Sequence, residues 1–354
     1  MRIMEIIKQK NYKTISIIGL AKNAGKTVAL NYLIEEANKF NVITGITSTG
    51  RDGESIDLVT KTQKPTIFVT EGMYVATAKK ALMLSTAKVE ILETTGLNTP
   101  MGEIIIVKVR QSGNIQVAGP VNTKDMKYVC KRLIHFGAEV VLVDGAIDRK
   151  AVSSPVITDA CIVATGAVLS RDVKIVIEKT SHAVECYTFK QVNDEVKELL
   201  LKTDKTCIVQ NSGTIIVPNI ETSITGGKKI SEQIDENTRH VFIKGAVTSN
   251  LLKDICQSEF LKNISIVIED GTKIFVEVNV WNDLKRKGLK MQALNTIDVI
   301  AVTLNPVSPT GYFFDSADFK SKMTHYLPDI KIIDVVSGGE EDWKILWRKV
   351  QKKI

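Results

Sequence analysis

The amino-terminal part of the chain alternates short apolar runs with amphipathic stretches. Residues 15–18 form a β-branched, mainly apolar run, which is typical of a buried strand. A loop bounded by glycines follows, and residues 26–39 then carry apolar side chains at the spacing of an amphipathic helix. A second apolar run occupies residues 42–47. This order predicts a βαβ unit with parallel strands and a right-handed crossover.

The same alternation continues to about residue 166 and predicts a doubly wound, mostly parallel sheet. The apolar run at 140–144 is a strong strand signal, and it ends in a carboxylate, Asp144. Residues 111–114 predict the turn of a hairpin between two β-rich stretches. The other predicted elements are strands at 66–70, 89–94, 102–110 and 114–118 and helices at 73–86 and 123–136.

The second half of the chain repeats the α/β rhythm and predicts a second α/β domain. We therefore divide the chain into residues 1–166 and 167–354, with a boundary that falls between residues 165 and 220. The predicted elements are helices near 172–185 and 190–202, strands near 206–210, 213–217, 240–244, 263–269, 273–279, 297–304 and 330–336, and a last helix from about 340.

The loop between the first strand and the first long helix has the residues of a phosphate-binding loop. Backbone N–H groups and the positive end of the helix dipole can surround an anion there, and Lys26 can reach the terminal phosphates of a nucleotide. The Thr27 hydroxyl can ligate Mg²⁺. The spacing departs from the common motif, because Leu20 stands where a glycine is usual. The predicted nucleotide-binding residues are Gly19, Asn23, Ala24, Gly25, Lys26, Thr27 and Val28.

Charged residues near predicted strand ends complete the candidate site. Asp144 could hold Mg²⁺ directly or through water, although such a residue is often only a turn or cap residue. Asp57 follows the second predicted strand, and Glu93 lies near the end of another, so both are further candidate carboxylates for the site. The alternative is that such charged residues are simply solvated. Lys22 could neutralise phosphate charge or simply be solvated. We expect catalytic roles for Lys26, Lys22 and Asp57, and Mg²⁺ ligation by Thr27, Asp57 and Asp144.

The shifted glycine spacing at 19–27 resembles the phosphate loop of dethiobiotin synthetase and the cobyrinic-acid amide synthases. These enzymes belong to the P-loop NTPase class that also contains metal-insertion GTPases and the nitrogenase iron protein. In dethiobiotin synthetase, Mg²⁺ is held by the loop threonine, an aspartate beyond the second strand and the acid of a Val-Glu-Gly-Ala motif. The resemblance implies these roles for Thr27, Asp57 and Asp144, and it covers residues 14–150.

Two departures concern the substrate half of that resemblance. Thr47 and Ser48 stand near the place of the synthetase's substrate lysine, and Ile147-Asp148 replaces a Gly-Gly pair. The resemblance to dethiobiotin synthetase therefore implies a nucleotide site in this chain, but it does not imply the synthetase's substrate site. An ATP-dependent small-molecule ligase or kinase of the dethiobiotin synthetase type stays as the alternative function. A nucleotide-binding module without hydrolysis is a third.

A second resemblance extends over the whole chain. The stretches at 19–27, 47–54, 143–149 and 305–311 together resemble the ATPase subunit of lysine 5,6-aminomutase reactivase. That resemblance implies an ATPase that works with a MutS-like partner subunit. ATP would drive release of damaged cobalamin from an adenosylcobalamin-dependent aminomutase. Asn305-Pro306 has two alternative interpretations, a turn after a strand or a contact to adenine.

Composition narrows the class of protein without identifying it. The 354 residues carry a net charge of +7 from dispersed lysines, which indicates a solvated basic surface rather than a nucleic-acid interface. Five single cysteines without metal-ligand spacing and the lack of a long apolar run predict a cytoplasmic protein that does not enter a membrane. We find no Asn-Lys-x-Asp element, which favours ATP over GTP. Oligomeric state is open, with a homodimer as one alternative.

Overall fold

The structure is a computed structural model that describes residues 2–50, 66–145, 157–222 and 224–336. The strands are β1 Thr14–Gly19, β2 Thr44–Ser48, β3 Ile67–Val69, β4 Tyr74–Ala78, β5 Lys88–Thr99, β6 Gly102–Gln111, β7 Gly113–Ile115, β8 Val140–Gly145, β9 Ala160–Gly166, β10 Cys207–Gln210, β11 Ile215–Ile216, β12 Thr238–Ile243, β13 Val247–Thr248, β14 Ser265–Ile268, β15 Ile274–Phe275, β16 Met291–Ala293, β17 Asp298–Asn305 and β18 Lys331–Asp334. The helices are α1 Ile3–Gln9, α2 Lys26–Lys39, α3 Lys79–Leu82, α4 Thr123–His135, α5 Val173–Tyr187, α6 Asp194–Thr203, α7 Gly227–Ser231, α8 Ser249–Ile255, α9 Val278–Arg286 and α10 Ser316–Tyr326.

One large sheet organises the part of the chain that contains the candidate loop. Within the described residues it has nine strands in the order β18-β17-β9-β1-β8-β2-β4-β6-β5. Neighbours from β18 to β4 pair in parallel, whereas β6 runs antiparallel to both β4 and β5. The predicted mixed α/β architecture with a mostly parallel sheet is therefore confirmed.

Both faces of this sheet are buried, which explains why its central strands are apolar along their whole length. Val140 and Leu142 of β8 belong to the hydrophobic cluster under α2, with Leu33 as a helix contact. Val141 and Val143 belong to the cluster on the other face, which includes residues of α4. The helices therefore cover the two faces of one doubly wound sheet.

The chain divides into two compact units, and the division differs from the predicted boundary near residue 166. The first unit contains the chain up to Ser181 together with the chain from Asp298 onward, and the second contains His182–Ile297. The physical reason is the pairing of β17, whose residues from Asp298 to Asn305 form a parallel ladder with β9. The second unit is thus inserted between elements of the first.

The second unit has its own sheet in the order β11-β10-β12-β14-β16 within the described residues. Its strands β12, β14 and β16 are parallel neighbours, and α8 and α9 lie between them in the chain. Trp281 of α9 is buried in its core. This unit is α/β, as the sequence predicts.

Several local predictions are wrong. The helix predicted at 73–86 is strand β4 followed by the single-turn helix α3, because Tyr74–Ala78 pairs with strands on both sides. The predicted hairpin at 111–114 does not form between β6 and β7, since β7 pairs with β3 instead. Residues 278 and 279 begin a helix rather than ending a strand. The helix predicted from residue 340 lies outside the described residues.

Among the described residues, no helix combines the length and the apolar character needed to cross a bilayer.

Candidate functional site

The candidate site lies at the carboxyl edge of the large sheet, where its winding direction reverses. Strands β8 and β9 follow each other in the chain but lie on opposite sides of β1. At that edge Ile18 of β1 pairs with Gly145, and Ser48 of β2 pairs with Asp144. Open α/β sheets bind ligands at such a reversal point, outside the carboxyl ends of the strands. The loop that follows β1 therefore occupies the usual ligand position.

The loop has a compact backbone geometry that leads directly into α2. Asn23 has a φ of 63°, and Gly25 has a φ of 98° as the N-cap of the helix. The Ala24 N–H donates to the Ala21 carbonyl at 3.2 Å, and the first helical bond runs from the Ala29 N–H to the Gly25 carbonyl at 2.9 Å. Because first-turn N–H groups have no carbonyl partner within a helix, they can bind an anion at this end of α2.

Gly19 explains why the glycine spacing of the loop is shifted. A Cβ atom at residue 19 would lie 2.9 Å from Cγ and 3.1 Å from Cδ of Lys26. The aliphatic part of the Lys26 side chain therefore lies directly over the Gly19 backbone. Leu20, at the usual glycine position, instead continues the sheet, since its N–H donates to the Ala164 carbonyl at 3.0 Å.

The Lys26 ammonium lies beside Asp144 at the end of β8. Its Nζ is 3.4 Å from Oδ1 of Asp144, and it also donates a hydrogen bond to the Gly145 carbonyl. The two side chains are only 14% and 6% exposed, respectively. Residues that are distant in the chain thus form one charged pair inside the candidate site, and this pair unites two of the predicted site residues.

The residues present suit a magnesium ion, although they do not form a preassembled cluster. Asp144 supplies carboxylate oxygens, and a cation already lies against them. Thr27 lies in the first turn of α2. Mg²⁺ prefers oxygen ligands and keeps several of its waters, so few protein ligands suffice. The described residues contain no group of three or more His, Cys, Asp or Glu side chains that could hold a metal. Asp57 lies outside the described residues.

The end of β2, beside Asp144 of β8, is hydrogen-bonded to the segment that follows β7. The Ser48 hydroxyl donates to the Val117 carbonyl at 3.1 Å and accepts from the Gly119 N–H at 3.2 Å. The Gly50 N–H donates to the Pro120 carbonyl at 3.1 Å. Ser48 therefore holds Val117 and Gly119 against the strand end.

Asn305, at the end of β17, contacts the candidate loop. Its position in the sequence predicts either a turn or a contact to adenine. Its Nδ2 donates to the Asn23 carbonyl at 3.4 Å, and its Oδ1 accepts from the Val307 N–H at 3.1 Å. A Cβ atom on Gly25 would lie 3.0 Å from the Asn305 Cβ. Asn305 thus supports both the turn that follows it and the loop beside it. In the sequence, the feature that could have indicated this contact is the position of an asparagine at the end of an apolar run.

Other candidate residues lie apart from this arrangement. Glu93 is on β5, at the far edge of the sheet, where Arg132 and Tyr128 donate to its carboxylate. Burial opposes ionisation there, but the two hydrogen bonds outweigh it and hold the pKa of Glu93 below its ordinary value. Lys22 lies in the loop and is exposed. The catalytic roles predicted for Lys22 and Asp57 stay predictions.

The cysteines are buried and do not suggest redox chemistry or metal binding. Burial raises the pKa of the Cys130 thiol to about 12 and those of Cys207 and Cys256 to about 11. These thiols therefore stay protonated at neutral pH and serve as small apolar side chains.

Comparison of the chain with protein-family models, with curated proteins and with solved structures found no match.

Proposed function

We propose that this protein is a Mg²⁺-dependent ATPase of the phosphate-loop class whose nucleotide cycle drives a partner protein. One observation carries the proposal. The start of α2 and the side chain of Lys26 converge at the point where the sheet reverses its winding, next to the buried carboxylate of Asp144. Amides, one cation and one carboxylate are the groups that hold a nucleotide phosphate and its metal.

Each group has a defined part in this proposal. First-turn amides of α2 bind phosphate oxygens, and Lys26 neutralises the charge on the terminal phosphates. Thr27 and Asp144 would hold Mg²⁺, with Asp57 as a further proposed ligand. When bound, Mg²⁺ supplies additional charge neutralisation at the phosphates. Such catalysis depends on positioning and electrostatics, so it requires no nucleophilic side chain.

The proposal of a protein partner rests on the sequence resemblance to the aminomutase reactivase ATPase subunit. We propose a MutS-like subunit and an adenosylcobalamin-dependent aminomutase as its partners. The hydrogen bonds of the Ser48 hydroxyl with Val117 and Gly119 support a site that differs from that of dethiobiotin synthetase. The ATP-dependent ligase or kinase remains an outcome of the test below.

Lys26→Ala tests the proposed site. We expect ATP turnover to be lost in this variant, because the phosphate charge loses its cation. Lys39→Ala is a matched control, since Lys39 is also an ion-paired lysine but lies at the other end of the same helix, about 20 Å away. It should keep wild-type turnover. Circular dichroism checks that both variants are folded.

Normal hydrolysis by a folded Lys26→Ala variant would contradict the site assignment. The same assay separates the candidate functions. Stimulation of wild-type turnover by a co-purified partner supports the partner-driven cycle, whereas stimulation by a small carboxylate or hydroxyl substrate alone supports a ligase or kinase.

A further inference from the structure

Lys26 and Asp144 have separate partners in the proposed nucleotide complex, but in the structure they pair with each other. Nζ of Lys26 lies 3.4 Å from Oδ1 of Asp144 and donates to the Gly145 carbonyl. The ammonium therefore lies against the carboxylate that the proposed function assigns to Mg²⁺. Both side chains are largely removed from solvent, so screening by water is weaker than at the surface.

The position of the Lys26 side chain is fixed along most of its length. Its Cγ and Cδ atoms lie over Gly19, so close that a Cβ atom on residue 19 would clash with them. The ammonium is held at the other end by a backbone carbonyl and a carboxylate. The side chain can therefore redirect its charge toward the helix start by rotation of its last bonds, while its first carbons stay over Gly19.

A divalent cation and an ammonium group compete for one carboxylate when both must lie within a few ångströms of it. We propose that Lys26 excludes divalent cations from Asp144 until a nucleotide phosphate draws its ammonium away. This inference rests on the proposed function and adds an order to it: phosphate binding releases Asp144, and only then is the carboxylate available to metal. Metal binding would thereby depend on nucleotide without any large movement of the backbone.

The alternative is a permanent ion pair. In that case Lys26 keeps its contact with Asp144 whether or not phosphate is present, and the carboxylate never serves a metal. In both cases, removing the Lys26 charge leaves the Asp144 carboxylate unpaired. The two cases differ in the wild type once ADP is present: Asp144 then contributes to metal binding in the first case and does not in the second.

Titration with Mn²⁺, followed by electron paramagnetic resonance in the absence and in the presence of ADP, separates these cases. The proteins are the wild-type full chain, Lys26→Gln, Asp144→Asn and the double variant Lys26→Gln/Asp144→Asn. Lys26→Gln keeps a hydrogen-bond donor near the Gly145 carbonyl and so is the variant chosen to preserve the fold. Lys39→Gln controls for general loss of positive charge from α2, because Lys39 is ion-paired with Glu35 at 3.2 Å.

Without nucleotide, we expect the wild type to lack a Mn²⁺ site that depends on Asp144, and we expect that site to appear when ADP is bound. Lys26→Gln should bind Mn²⁺ at least about tenfold more tightly, the order of change that removal of one adjacent unit charge produces. The double variant should lose this gain, and Lys39→Gln should match the wild type. Equal Mn²⁺ affinity in folded Lys26→Gln and wild type would overturn the proposal.

Comparison of wild type with Asp144→Asn is decisive even if no Lys26 variant folds. The proposal is supported if wild-type Mn²⁺ binding depends on Asp144 only when ADP is present. It is overturned if that dependence is already present without nucleotide, or is still absent with ADP bound. Failure of the proposed function is distinguishable, because it is measured by ATP binding and turnover. The comparison of Lys26→Gln with wild type contains no nucleotide.

Discussion

A single methyl group added at Gly19 should weaken nucleotide binding through Lys26. In Gly19→Ala the new Cβ atom would lie 2.9 Å from Cγ of Lys26 and 3.2 Å from the Ala21 carbonyl oxygen. The backbone of residue 19 lies outside the positive-φ region, so alanine meets no conformational strain there. The contacted atoms belong to the fixed start of the lysine side chain rather than its flexible end. Lys26 must therefore move.

Two energies set the expected change in stability, and a third sets the expected change in ATP affinity. Overpacking of this kind costs about 1–3 kcal/mol, and replacing glycine returns about 0.4–1 kcal/mol by restricting the unfolded chain. The net loss of unfolding free energy should be about 0–2.6 kcal/mol, centred near 1 kcal/mol. A hydrogen bond to a charged group contributes about 1.5–3 kcal/mol. Misplacing the ammonium should therefore weaken ATP binding about 10- to 100-fold.

Gly45→Ala is the matched control for steric stress. A Cβ atom there would meet Ala138 and Leu133 at 3.1 and 3.2 Å, in the interior near the start of β2. Urea unfolding and equilibrium ATP titration would be measured for both variants. Both should lose stability, but Gly45→Ala should keep wild-type ATP affinity. Retention of ATP affinity within about twofold by folded Gly19→Ala would refute the placement of Lys26 over Gly19.

Two further predictions concern pH. Glu36 is buried on α2 and accepts from the Met4 N–H at 2.9 Å, and burial raises its pKa. Because its folded-state pKa exceeds the unfolded value, stability is lost as pH rises past the ordinary carboxyl range. Glu36→Gln should therefore be at least as stable as wild type at pH 7, with the difference reduced near pH 4. Urea unfolding checks this, and an equal deficit of the variant at both pH values would contradict it. Burial, with a smaller effect of Arg239, lowers the pKa of His240. Its contribution to stability is therefore lost as pH falls through about 6.5 toward the folded-state value. The imidazole resonance that disappears in His240→Gln should titrate below that pH in NMR spectra, and a midpoint at or above it would disprove the assignment.

Elements with strong local signals were predictable from the sequence. The apolar runs that became β1 and β8 are buried on both faces, so their composition alone marks them as strands. The Gly-Lys-Thr at the start of α2 marks a strand–loop–helix junction, and the structure has that junction at Lys26.

Elements set by distant partners were not predictable in this way. Tyr74–Ala78 is alanine-containing and resembles a helix locally, but pairing with β2 and β6 makes it a strand. The return of β17 to the first sheet depends on its ladder with β9, and nothing in its own residues distinguishes one sheet from the other. The contact of Asn305 with the loop joins residues 282 positions apart. Only the folded chain shows it.

The most direct test of the anion-binding loop is an NMR titration of the ¹⁵N-labelled full chain with Mg²⁺ and ADP. If residues 19–27 hold the phosphates, the amide resonances of Gly25, Lys26 and Thr27 should show the largest shifts, and Lys26→Ala should abolish them. Saturable nucleotide binding that leaves these amides unchanged, or no binding at all, would contradict the account.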